Sequence, residues 1–182
     1  MTIQAGAGDE LTRIVATLVR DVPDYPQVGV VFKDITPLLA DPVALRQTIG
    51  NLSSWVAERR ADVVLGAEAR GFILGAAIAA ESGAGFVPAR RPGKLPPETV
   101  GATYVLEYGE NVLEVHPDLI VPGSRVVIHD DVLATGGTVE AIRGLVDQLG
   151  GQVVGACFII ELTFLGGRER LGGLDVYSLI AY

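Results

Sequence analysis

One pattern narrows the fold of this chain more than any other. A short apolar run feeds a helical stripe that stops at glycine, a second short run follows, and the whole order occurs twice. In the first instance Asp62–Ala67 is a β-branched run, Arg70–Ser82 an apolar helix ended by Gly83, and Gly85–Ala89 the next run. In the second, Arg125–His129 (RVVIH) reads as a buried strand. Val139, Ile142, Leu145, Val146 and Leu149 form a helical stripe ended by Gly150-Gly151, and Gln152–Glu161 is the returning strand. Strand–helix–strand units pair their strands in parallel through right-handed crossovers. Strands covered on both faces read as continuous apolar runs, not as alternation. The expectation is an α/β fold, a parallel sheet flanked by helices.

The remaining segments fit around these units. Residues 1–8 read as a frayed tail, and Leu11, Ile14, Val15, Leu18 and Val19 recur at helical spacing until the prolines of Val22–Pro26 stop them. Asp41 before Pro42 is a helix start, a capping side chain followed by proline at the first helical position. Leu45, Ile49, Leu52 and Val56 then put one stripe toward a core, predicting a helix over 42–59. Arg90–Val100 (RRPGKLPPETV) is a surface loop. Thr103–Glu107 and Asn111–His116 flank Tyr108-Gly109-Glu110 as a hairpin, and Val176–Ile180 can add an edge strand. With 182 residues, one domain is expected.

Composition excludes several classes of function. Twenty-two acids against 14 bases leave a net charge of −8, opposite to what a grip on nucleic-acid phosphates needs. The longest apolar run, Gly71–Ala80, is far short of the roughly 20 residues that span a bilayer. The N-terminus lacks a basic start followed by an apolar stretch, so no signal peptide is expected. Cys157 is the single cysteine, which rules out an internal disulfide and a cysteine-based zinc cluster and suits a reducing compartment. Two histidines, His116 and His129, show no metal-ligand spacing; both read as ordinary residues, His129 in a strand and His116 on the hairpin.

The chemistry concentrates in Val126–Ile142 (VVIHDDVLATGGTVEAI). A buried strand runs into Asp130 and Asp131, a short loop Ala134-Thr135-Gly136-Gly137-Thr138 follows, and a helix begins. Ligands of open parallel sheets sit beyond the carboxyl ends of the strands. A helix start offers free N–H groups and a positive dipole end, glycines let the backbone close on a phosphate, and Thr135 and Thr138 add hydroxyls. Neither the lysine of a nucleotide P-loop nor a G-x-G-x-x-G fingerprint is present. Carboxylates at the strand end can accept hydrogen bonds from vicinal hydroxyls. Together they suit a ribose 5-phosphate. Arg70, in GAEARGF (Gly66–Phe72), offers a second anion seat, and Arg90, Arg91 and Lys94 form a basic cluster on an otherwise acidic chain. Gly93 and Pro96-Pro97 suggest a hinged lid there.

The double-acid and TGGT stretch is similar to the 5-phosphoribosyl-1-pyrophosphate (PRPP) motif of type I phosphoribosyltransferases. DYPQVGVVFKDITPLL (Asp24–Leu39), RRPGKLPPET (Arg90–Thr99), YVLEYGENVLEVH (Tyr104–His116) and GGRERL (Gly166–Leu171) resemble the adenine-specific branch of that family. The resemblance implies the type I fold with a small N-terminal hood over about 24–39 and a flexible loop and hairpin. It implies transfer of a 5-phosphoribosyl group from PRPP to adenine, giving AMP and pyrophosphate, with Mg²⁺ held mainly by PRPP and water and not by a protein metal site. It implies a cytoplasmic homodimer.

Residue by residue, the resemblance assigns PRPP and AMP binding to Asp130, Asp131 and the Ala134–Thr138 loop, pyrophosphate contact to Glu68, Ala69 and Arg70, and further anion contact to Arg90, Arg91 and Lys94. A non-proline cis peptide is implied at Glu68–Ala69. Val31, Phe32 and Lys33 would border adenine, Glu107 would handle the proton at N7, and Tyr108 would close over the site. Two departures stand out: Lys33 replaces a common arginine, and His129 replaces an apolar residue. A transferase for another base and a non-catalytic PRPP-sensing regulator share the same phosphate motif and stay open at this point.

Overall fold

The computed structural model describes residues 7–106 and 109–182. Two compact units divide the chain, Met1–Asn51 and Leu52–Tyr182. In the first, α1 (Ala7–Leu18) leads into a two-stranded antiparallel sheet of β1 (Arg20–Pro23) and β2 (Val31–Asp34), then into α2 (Thr36–Ala40). Helix α3 (Pro42–Glu58) begins in this unit and ends in the next. The Asp41 carboxylate accepts hydrogen bonds from the Val43 and Ala44 amides, both at 2.9 Å, so the expected cap is in place. Ala7 and Gly8, expected in a frayed tail, already belong to α1; the rest of that tail lies outside the described residues. The β1–β2 pair was not expected. Its strands are four residues long, too short for a periodicity to show, and Val22–Pro26 carried only the signal of a break.

The second unit holds β3 (Val63–Ala67), α4 (Gly71–Ser82), β4 (Gly85–Ala89), β5 (Val100–Leu106), β6 (Gly109–Val115), β7 (Arg125–Leu133), α5 (Gly137–Gln148), β8 (Gln152–Glu161), α6 (Gly167–Arg170) and β9 (Val176–Ala181). Five strands form one sheet in the order β4-β3-β7-β8-β9, every neighbouring pair parallel. The predicted parallel sheet and its edge strand are therefore present. Leu65, Ile128 and Phe158 from three adjacent strands and Ile142 and Leu145 from α5 are fully buried in one core cluster. β5 and β6 make a separate antiparallel pair, in register from Val100↔Val115 to Leu106↔Gly109. Both hairpin strands thus start earlier in the chain than the sequence suggested, and the second ends one residue earlier, at Val115, because the turn signal at Gly109 is itself a strand residue. Glu107 and Tyr108 lie outside the described residues.

The strand order fixes where a ligand can sit. From β3 the chain crosses through α4 to β4 on one side; from β7 it crosses through α5 to β8 on the other. Two crossovers of the same hand running in opposite directions leave a crevice between β3 and β7, at their carboxyl ends. The loops that leave those two ends are Glu68–Arg70 and Ala134–Gly136.

Candidate active site

Strand β7 continues four residues beyond the expected His129, so Asp130 and Asp131 stand in the ladder itself. Asp130 pairs with Phe158 of β8 and lines a cavity of about 90 Å³ with Ala134, Thr135, Gly136, Gly137 and Thr138. Gly136 has φ of 82°, a left-handed conformation that glycine adopts without a Cβ penalty, and it begins α5 without a side-chain cap. The first-turn amides of α5 are therefore left to other acceptors, and the positive end of the helix dipole faces the loop. The Asp131 amide donates to Asp130 Oδ1 at 2.9 Å.

Asp131 is buried, and its Oδ2 lies 3.1 Å from Arg70 Nε in an ion pair whose geometry makes no hydrogen bond. Arg70 immediately precedes α4. Gly71 explains how it reaches across: a Cβ there would come within 2.8 Å of the His129 carbonyl oxygen and 3.2 Å of Asp130 Oδ1, so only glycine lets the first turn of α4 lie on the end of β7. In the sequence Gly71 reads only as part of an apolar run; the signal that marks it is Gly71 and Gly75 four apart on one helix face. Burial raises the Asp130 carboxyl well above the usual carboxylate range, and the Asp131 charge raises it further. Burial also raises Asp131, against the opposing pull of Arg70.

Glu68 forms the other half of the crevice. Its peptide bond to Ala69 is cis, as the resemblance implied. Its carboxylate accepts from the Arg91 amide at 2.9 Å and pairs with Arg90 Nε at 3.3 Å. Those donors, the Arg91 amide first, hold Glu68 below its ordinary range. Arg90 also donates to the Lys94 carbonyl at 3.0 Å and is bridged through its backbone to Glu114 of β6. The base of the basic loop is thereby pinned between β6 and Glu68, while Arg91 and Lys94 are exposed.

Val31, Phe32 and Lys33 all lie on β2, in the first unit. Val31 is 47% exposed, Phe32 meets Tyr25 edge-on at 5.3 Å between ring centroids, and Lys33 Nζ pairs with Asp21 at 2.7 Å. His129 is buried, and its Nδ1 donates to the Cys157 carbonyl at 3.0 Å. His116 Nδ1 lies 3.0 Å from the Glu98 carbonyl. No group of three His, Cys, Asp or Glu side chains suited to a metal occurs among the described residues.

Residues 39–170 match the family model of the phosphoribosyl transferase domain. The chain is 54% identical over 164 residues to an adenine phosphoribosyltransferase of Koribacter versatilis, covering 90% of each sequence. It superposes on the crystal structure of adenine phosphoribosyltransferase from Thermoanaerobacter pseudethanolicus with a TM-score of 0.91 at 48% identity, covering 94% of this chain and 99% of that one. The Saccharomyces cerevisiae enzyme, solved with an imino-altritol bisphosphate and adenine, superposes with a TM-score of 0.87 at 35% identity over 94% and 99% of the two chains.

Proposed function

The chain belongs to the adenine phosphoribosyltransferase family, and on that premise we propose that the crevice between β3 and β7 receives PRPP and carries out its transfer to adenine. The activity is that of a pentosyltransferase of purine salvage: adenine and PRPP give AMP and pyrophosphate. The observation that carries the assignment of the crevice is Asp130 lining one cavity with the Ala134–Thr138 loop at the start of α5.

The 5-phosphate would take the loop amides and the hydroxyls of Thr135 and Thr138, and the ribose diol the carboxylates of Asp130 and Asp131. Pyrophosphate would compete with Asp131 for the Arg70 guanidinium, releasing the carboxylate to the diol as the substrate seats. Glu68, Ala69, Arg90, Arg91 and Lys94 complete the anion-binding rim. As the bond from the anomeric carbon to pyrophosphate breaks, positive charge develops on the ribose; the new bond forms to a purine nitrogen and the purine gives up a proton. The protein's part is to hold the departing charge and align the base. Val31, Phe32 and Lys33 are assigned to the adenine, Glu107 to its proton and Tyr108 to closure.

Mg²⁺ suits this donor set. It prefers oxygen ligands and keeps several waters, so PRPP and water would supply most of its shell, beside the half-buried Asp130 and the buried Asp131 at the ribose end. Carried in with PRPP, it would offset the charge of the pyrophosphate. On the same reading the enzyme is a cytoplasmic homodimer. Among the described residues no helix is long and apolar enough to cross a membrane.

Release of pyrophosphate on mixing the protein with PRPP, Mg²⁺ and each purine in turn tests the activity, and adenine is expected to be the best acceptor. Asp131→Ala is expected to raise the PRPP KM at least about tenfold, which corresponds to about 1.4 kcal/mol of lost binding. An unchanged PRPP KM would remove Asp131 from the ribose site.

A further inference from the structure

We infer that the short helix α6 is a splint that sets the position of the phosphate loop, with Gly167 as its contact and Arg168 and Arg170 as its fastenings. The inference rests on the reading of Ala134–Thr138 as the 5-phosphate site. Gly167 packs backbone to backbone on that loop: a Cβ on it would collide with the Ala134 carbonyl oxygen and stand 3.1 Å from Leu133 Cδ1. The contact is reciprocal, since a Cβ on Gly136 would meet the Gly167 carbonyl oxygen at 3.0 Å. The loop therefore has no freedom to sink toward α6, and α6 has none to rise.

Three attachments hold α6 in that place. Arg168 donates from Nε to Glu161 Oε1 at 2.8 Å, at the end of β8, and from its guanidinium to the Val176 carbonyl of β9 at 2.7 Å. Glu161 is buried, and Ser178 of β9 donates to its other oxygen at 2.8 Å, so the carboxylate is held from α6 on one side and β9 on the other. On the other side, Arg170 pairs with Glu140, in the first turn of α5, at 2.6 Å. Leu171, just past the helix, is buried in the core beside Gly136. One short helix thus ties the end of β8 to the start of α5, the element whose first-turn amides flank the loop. None of these residues lines the loop cavity. They act as positioning residues, and their effect should fall on phosphate-bearing substrate alone.

The test is steady-state kinetics with PRPP and adenine varied separately, on Gly167→Ala, Arg168→Lys and Arg170→Gln, with Thr138→Ala as a variant of the loop itself. Gly167→Ala is expected to raise the PRPP KM about tenfold while the adenine KM stays within about twofold, the signature of lost binding at one site. Arg170→Gln removes an exposed pair and is expected to raise the PRPP KM about threefold; Arg168→Lys keeps the charge without the fork and should fall between the two. An unchanged PRPP KM in Gly167→Ala, or equal rises in both KM values, overturns the splint. If Gly167→Ala does not fold, an unchanged PRPP KM in Arg170→Gln does so. If Thr138→Ala leaves the PRPP KM unchanged, the loop assignment falls instead, whatever the other variants do.

Discussion

His129 carries its ring proton on Nδ1, because its partner there is the Cys157 carbonyl, which can only accept. Nε2 is left as a buried lone pair with no partner. Burial pushes the imidazole down to about 4, so the ring is neutral through the physiological range. The unfolded chain takes up a proton near the ordinary value of about 6.5, which the folded chain refuses. As pH falls from about 6.5 to about 4, His129 therefore costs the folded state stability, about 3 kcal/mol by the end of that window. His129→Leu is expected to remove that loss: urea unfolding of variant and wild type should converge above pH 7 and diverge below 6, the variant being the more stable. Parallel pH curves would refute it. The raised carboxyls of Asp130 and Asp131 act in the opposite sense, favouring the folded state as pH falls, and they cancel in this comparison. From the sequence, His129 was legible as a buried strand residue; its orphaned nitrogen was not, since that depends on what α4 and β8 place around it. The Cys157 thiol, pushed up to about 12 by burial, is no nucleophile.

At the scale of elements, caps and glycines did most of the legible work. Asp41 before Pro42 announced α3, and Gly83 with φ of 81° ends α4 where expected. Asp41→Ala is expected to lower stability by about 1 kcal/mol, read as a shift of the urea midpoint at constant slope. No shift would mean that the two amide bonds count for nothing in the folded chain. The buried face of α3 runs through Ala44, Thr48, Leu52 and Val56, with Leu45 and Ile49 only half-buried beside it. The stripe was thus found but centred one residue late, because apolar character marked it and Thr48 did not. Helix α6 was invisible as a helix: four residues carry no period, and GGRERL stood out by resemblance alone.

At the scale of the molecule, pairing sets a hierarchy of stability. β3, β7 and β8 have hydrogen-bonded neighbours on both sides and β4 and β9 on one; β5–β6 is a separate pair with Leu113 and Val115 buried in the core cluster, and β1–β2 is a pair outside that cluster. Hydrogen exchange is expected to be slowest in β3, β7 and β8 and fastest in β1 and β2, since two strands alone are marginal in water. Equal protection of β2 and β7 would contradict this ordering.

What the sequence determined by itself was the alternation: apolar runs, helical stripes and terminal glycines are local, and local chemistry is enough to specify strands, helices and a parallel sheet. The double acid and the TGGT loop were legible for the same reason, being contiguous. Only the tertiary structure decided which distant residues meet. Arg70 finds Asp131 because Gly71 lets α4 lie against β7, and Gly167 finds Ala134 because an ion pair at the end of β8 holds it there. Those contacts arise from packing across the sheet, where sequence separation carries no information about distance.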